Sequence, residues 1–349
     1  MRYHLKASSA KCLLPMALAA AAGTAAAQTS VTLYGRIDGG VHYQSRSSPS
    51  ADTWTLSSDT SHFGFRGQED LGGGKSAVFK LESLFDMSTG SSSATQFFNR
   101  EAYVGLADRR WGSVLLGSMW GPSVWISGKS DAFGRAQLGA VQSFLQGPAN
   151  RGNNFQFNNA VQYVSPTVGG VFGRVLVQAA EGAPTGRNYA ASLDYTQGPA
   201  FLGMAYDDAQ ITGTTVGLPT VAVTRSKTLG VGGAYHFGFV KLMGYVQSNR
   251  VATLGNATSK NISATVPVGL GEFRLALGRW DRPSDADATR IALGYTYHLS
   301  KRTQLYGVVA RLNNGAGSTT MLFPINQDSV AASRGQDVKA LGLGVRHVF

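Results

Sequence analysis

The last twelve residues, Val338 to Phe349, alternate bulky with small or polar side chains up to the terminal carboxylate. Leu341, Leu343, Val345, His347 and Phe349 fall on one face of such a strand, and Ala340, Gly342, Gly344 and Arg346 on the other. Chain ends fray unless they are tied down. A strand that ends in an aromatic at the carboxylate therefore predicts a C-terminus paired into a sheet. One strand does not decide the fold, because a soluble edge strand alternates too.

The N-terminus narrows the choice. Arg2, Lys6 and Lys11 form a basic start, Leu13 to Ala22 an apolar stretch, and Ala25-Ala26-Ala27 a small-residue cleavage site. About 10 apolar residues cannot cross a bilayer that needs roughly 20. Residues 1–27 are expected to be a cleaved signal peptide, with the mature chain starting at Gln28. The single Cys12 lies inside this leader, so the mature chain has no disulfide, thiol nucleophile or thiolate metal site.

Beyond Ala27 no apolar run approaches transmembrane-helix length. With 44 Gly, 13 Tyr and 17 Phe and little Pro, the composition suits many strands joined by tight turns. The net charge is +11; removing Arg2, Lys6 and Lys11 leaves 28 basic against 20 acidic residues, a net of +8. That excess fits solubility, attraction to lipopolysaccharide, or an anion-attracting pore. No basic cluster with interleaved aromatics points to nucleic acid.

Period-two alternation recurs along the chain. In Val31 to His42 the odd positions are apolar or Gly, and the even ones carry Tyr34, Arg36, Asp38 and His42. Ile291, Leu293, Tyr295, Tyr297 and Leu299 oppose Arg290, Thr296 and His298; Leu242 and Val246 oppose Lys241, Tyr245 and Gln247. The polar face carries too many charges to pack as a core, and strands of about 10 residues can span a bilayer when tilted. In hydrocarbon an unpaired sheet edge is intolerable, so the sheet must close. Short turns at 70–74, 107–110, 165–170, 198–199, 237–239, 269–271 and 300–302 alternate with longer connections near 44–56, 87–96, 120–157, 181–187, 210–223, 251–259, 282–287 and 314–336. Seven short turns and eight long loops join 16 strands. The expected fold is all-β: a 16-stranded antiparallel transmembrane β-barrel spanning residues 28–349.

The chain resembles the general porin family of Gram-negative bacteria in its β-proteobacterial form. The resemblance is carried by Val31-Thr32-Leu33-Tyr34-Gly35, by Phe63-Gly64-Phe65-Arg66-Gly67-Gln68-Glu69-Asp70-Leu71-Gly72-Gly73-Gly74, and by Asn99-Arg100-Glu101-Ala102-Tyr103-Val104-Gly105-Leu106 running into Trp111-Gly112-Ser113-Val114-Leu115-Leu116-Gly117. Leu299-Ser300-Lys301-Arg302-Thr303 with Leu305-Tyr306, and Gly344 to Phe349, complete a collinear set. The resemblance implies a homotrimeric outer-membrane channel for passive diffusion of small hydrophilic solutes and ions. It also implies that the third loop, Trp120 to Phe157, folds into the lumen, and that Phe349 is read by the barrel assembly machinery. Outer-membrane lipid and lipopolysaccharide would be the surroundings.

The resemblance further implies a constriction in which wall cations face loop acids. Arg36, Lys80 and Arg100 are the expected wall cations, Glu82 the acidic wall residue and Asp131 the loop acid. His62 and Gln156 stand where similar chains carry Arg, with Arg151 nearby, so only a mild anion preference is expected. No catalytic residues, metal or cofactor are expected. Glu69 to Ser76 ends in Gly-Lys-Ser but lacks the first Gly and the following helix of a phosphate loop, and no two of His42, His62, His236, His298 and His347 have metal-ligand spacing. An outer-membrane hydrolase, with residues scattered over several strands, and a structural or adhesive barrel without an open pore are the alternatives.

Overall fold

Alternation with a period of two forces every strand to show one face to each side of the sheet, and here the apolar side faces outward. The computed structural model describes residues 30–47, 50–92, 96–145, 156–180, 187–213, 221–251, 255–323 and 332–349. The expected signal peptide and the start at Gln28 lie outside them, as does Arg151.

The strands are β1 (Ser30–Ser47), β2 (Ser50–Ser58), β3 (His62–Gly72), β4 (Lys75–Leu84), β5 (Glu101–Asp108), β6 (Gly112–Trp120), β7 (Gln156–Val164), β8 (Val171–Gln178) and β9 (Asn188–Gln197). They continue as β10 (Ala200–Gly213), β11 (Val221–His236), β12 (Lys241–Val251), β13 (Gly255–Val268), β14 (Gly271–Asp281), β15 (Ala288–His298), β16 (Thr303–Asn314) and β17 (Val338–Val348). From β3 to β17 each strand pairs antiparallel with the next, and β17 returns to β1 with Arg36 opposite Val348. β2 pairs with the upper half of β1 and β3 with its lower half. These two segments are one stave, interrupted at 59–61 where Thr60 takes φ 61°. The 17 segments therefore make a closed barrel of 16 staves. Closure leaves no unpaired edge, the condition for a sheet in hydrocarbon.

The outward positions carry exposed Val31, Leu33, Val41, Leu202, Met204, Leu229, Val246, Ile262, Leu275, Leu293, Val309 and Leu343. The inward positions carry Asp38, Glu82, Glu101, Asp194, Gln247, Asn261, Arg290 and Arg346. The seven short turns fall where the sequence places them, and Gly72, Gly73 and Gly74 all take positive φ in the first. Several long connections are shorter than expected. β1 runs to Ser47 and β2 starts at Ser50, and β12 and β13 leave only 252–254 between them. Polar strand ends that rise past the membrane read as loop, because alternation there no longer separates apolar from polar.

The C-terminus closes the barrel. The Gly35 N–H donates to Phe349 O at 3.0 Å and the Phe349 N–H to Gly35 O at 3.1 Å. A Cβ on Gly35 would lie 2.6 Å from the Phe349 ring, so the ring rests where that residue has no side chain.

Candidate pore constriction

The connection between β6 and β7 turns inward at Gly121 and lies against the inner wall. Pro122 starts a helix, α1 (Pro122–Lys129), as its fixed φ favours at a first helical position. α1 packs on β9, β10 and β11. A 3-10 turn (Val141–Phe144) follows farther along the wall. Ile126, Phe133, Leu138, Val141, Phe144 and Leu145 are all buried to 1% exposure or less.

The wall is shaped to receive them. A Cβ on Gly203 would meet Ile126 at 2.9 Å, on Gly232 Ser130 Oγ at 2.3 Å, on Gly278 Phe144 at 2.4 Å, on Gly294 Phe133 at 3.0 Å and on Gly342 Leu138 at 3.0 Å. Ala205, Ala234, Ala276, Ala292, Ala310 and Ala340 fill the spaces between these notches. A track of small residues across β10 to β17 is thus the seat of the loop, and each buried apolar side chain contributes about 1.5–3 kcal/mol. The segment between β16 and β17 also folds in. Met321, Leu322 and Phe323 join the same core, and the Phe323 N–H donates to Ser143 Oγ at 3.0 Å.

Asp131 corrects the expectation of an acid facing the channel. It is 4% exposed, and its carboxylate accepts the N–H groups of Phe133 (3.4 Å), Arg135 (3.0 Å) and Val141 (3.1 Å). Burial pushes its carboxyl up from the ordinary value, opposed by Arg290 and those three donors. The acid ties the loop's own backbone together instead of meeting the lumen. What the loop offers to the channel is basic: exposed Lys129, and Arg135, which burial pushes down to about 10 and which remains a cation at neutral pH.

With the loop covering the wall from β9 to β17, the channel borders the wall from β1 to β8, where most of the expected residues gather. Glu82 accepts from Tyr34 Oη at 2.8 Å and from Arg100 Nε, and lies 3.3 Å from Lys80 Nζ. Lys80 also bonds Glu101. Glu82 and Arg100 are therefore neighbours on one wall and do not oppose each other across the pore, because Arg100 enters β5 beside β4. Arg36 donates to Thr60 O at 3.2 Å. His62 donates from Nδ1 to the same carbonyl at 2.8 Å. Gln156 donates to Arg100 O at 3.0 Å and Ser118 Oγ at 2.7 Å, so it positions Arg100 and does not add to the lumen's charge.

Other contributors went unnamed at the sequence level. Arg66 lies 4.9 Å from the Tyr34 ring. Arg174 bonds Asp194 at 2.7 Å and stacks at 4.6 Å on Phe172, over which Lys129 also sits. Strand parity already put Arg66 and Arg174 inside; no pattern marked Lys129 and Arg135. Among the described residues Arg36, Arg66 and Lys129 have no carboxylate within 4 Å, although Asp38 and Asp59 act on Arg36 from farther off, so the constriction carries cations outside close ion pairs on both sides.

A family model described as Gram-negative porin matches residues 16–317. The chain is 32% identical to outer membrane porin protein 32 of Delftia acidovorans, over 97% of this chain and 99% of that one. It is 29% identical to an outer membrane porin protein of Bordetella pertussis, over 97% and 100%. Among solved structures, an anion-selective porin from Comamonas acidovorans superposes with TM-score 0.82 at 29% identity, covering 92% of this chain and all of that one. The trimer form of OmpT from Vibrio cholerae shares the fold, with TM-score 0.67 at 14% identity over 92% and 99%.

Proposed function

We propose that this chain, which belongs to the Gram-negative porin family and is an outer-membrane channel, passes small hydrophilic solutes passively through its lumen, with a preference for anions. The observation that carries the preference is that Arg36, Arg66 and Lys129 stand outside close ion pairs where the third loop approaches the wall. Charged rings of one sign at a narrow, low-dielectric passage set ion preference. Glu82 and Glu101 are held in ion pairs with Arg100 and Lys80, so they offset only part of that charge.

Arg36, His62, Lys80, Glu82 and Arg100 line the constriction in this reading, Gln156 orients Arg100, and Asp131 seats the loop. The solved relative described as anion-selective supports the sign. The OmpT trimer supports a homotrimeric assembly. The leader 1–27 would direct export, and Phe349 would be the signal met by the assembly machinery. Swelling of proteoliposomes in isotonic sugars of graded size tests the passive channel. Swelling rates should fall smoothly with solute size. No swelling with the smallest sugar would favour the plugged, structural reading.

A further inference from the structure

The face that α1 turns away from the wall carries an aromatic side chain with nothing stacked against it. Pro122, Ser123, Ile126 and Ser127 are the buried positions of the helix, which packs on β9, β10 and β11. Trp125 and Lys129 are exposed. They stand four residues apart, one above the other on one side of a helix whose pitch is about 5.4 Å. Because the wall takes the opposite side, both face the channel. Trp125 is 38% exposed, and its ring and Nε1 have no ring, cation or hydrogen-bond partner among the described residues.

Other aromatic rings of the lumen serve a cation. Tyr34 lies under Arg66 at 4.9 Å and Lys80 at 5.9 Å, Trp120 under Arg100 at 5.3 Å, and Phe172 under Arg174 at 4.6 Å. Such contacts hold the charge in place. Trp125 holds none, and an indole left in a water-filled passage forgoes the stabilisation that burial would give it. The seating of the loop does not use this side chain.

Lys129, one turn away, is fixed by the wall. Its Nζ lies 5.7 Å from the centre of the Phe172 ring and 4.8 Å from that of Phe201. Asp194, in register with Phe172, is buried and bound by Arg174 at 2.7 Å and Ser192 Oγ at 2.9 Å. Lys129 itself has no carboxylate within 4 Å among the described residues. The ammonium is held beside two rings with its exposed side toward the lumen.

A cation without an acid, one helical turn from a bare indole, matches a solute whose planar ring carries its carboxylate directly. We propose that Trp125 and Lys129 form a subsite for aromatic carboxylates, with the carboxylate on Lys129 Nζ and the ring stacked on the indole. Phe172 and Phe201 position the ammonium. An aliphatic acid of the same charge meets Lys129 equally but leaves the indole unstacked. A neutral aromatic stacks but leaves the ammonium unpaired. The inference rests on the passive-channel reading and names a solute class for it.

The test is block of single-channel chloride current in planar bilayers by sodium benzoate, sodium cyclohexanecarboxylate and benzamide. Aromatic pairing adds roughly two- to tenfold beyond the area it buries, so benzoate should half-block at a concentration lower than cyclohexanecarboxylate by that factor. One exposed ion pair is worth up to about fivefold, so benzamide should be weaker than benzoate by up to that much. Trp125→Leu should remove the advantage of benzoate over cyclohexanecarboxylate, and Trp125→Phe should keep most of it. Lys129→Gln should bring benzoate to the level of benzamide. Block by the two acids at equal concentration, or an advantage that survives Trp125→Leu, would overturn the proposal. So would benzamide acting as strongly as benzoate, because the carboxylate would then go unread. A channel that carries chloride and sugars yet treats the three probes alike refutes this subsite alone. One that carries neither refutes the channel reading and the subsite with it.

Discussion

Removing the Phe144 ring should free the third loop without loosening the barrel. The ring is 1% exposed, 6.2 Å from Trp280 and 5.0 Å from the Arg290 guanidinium, and it fills the notch of Gly278. Truncating a buried Phe to Ala costs about 3–5 kcal/mol. The backbone ladder of the wall does not pass through Phe144, so that cost falls on the docked loop relative to the undocked one. The docked-to-undocked ratio should drop roughly 10²- to several-thousand-fold. Single-channel recordings of Phe144→Ala in planar bilayers should show larger, noisier conductance steps, while the urea midpoint of the heat-modifiable barrel stays within error of wild type. Gly278→Leu should do the same from the wall side, because its side chain must occupy the space of the ring. Quiet steps of wild-type size in both variants would refute the glycine track as the seat of the loop.

Leu293→Arg on the outward face should cost about 2–4 kcal/mol in a refolding titration if it lies near the midplane, whereas Arg66→Ala on the inner face should leave the midpoint unchanged. Deleting Phe349 removes two backbone hydrogen bonds to Gly35 and the ring that covers it; levels of heat-modifiable protein in outer-membrane fractions should fall several-fold. Asp131→Ala strands three buried N–H donors, each costing about 1–3 kcal/mol if left unpaired, so current noise should rise, and Asp131→Asn should restore part of the quiet behaviour. Arg100→Ala leaves Glu82 with only Lys80 and Tyr34 as partners, so reversal potentials should move toward cations, as they should with Arg36→Ala.

Strand parity made the barrel legible, because each inward charge alternates with an outward apolar group over most of each stave. It also placed Arg36, Lys80 and Glu82 on the inner face, whereas Arg100 precedes β5, whose inward positions start at Glu101, and reaches Glu82 from outside the alternation. Parity says nothing about who sits beside whom: Glu82 and Arg100 share a wall because their strands are adjacent, a fact of register. Asp131 misled for a different reason. A carboxylate in a long loop has the same signature whether it meets water or caps backbone N–H groups, and only the fold around Val141 distinguishes the two. The glycine and alanine track was visible in composition, yet its positions make sense only once the loop lies on them. The upper strand ends were hidden because both of their faces are polar.

The most direct measurement of the account is the reversal potential of a single reconstituted channel under a potassium chloride gradient at neutral pH. Arg36, Arg66 and Lys129, outside close ion pairs, predict a potential of the sign set by chloride, which weakens as added salt screens the lumen and shrinks further in Arg36→Ala with Lys129→Ala. A potential set by potassium, or one indifferent to both substitutions, would contradict the claim that these side chains set what the pore admits.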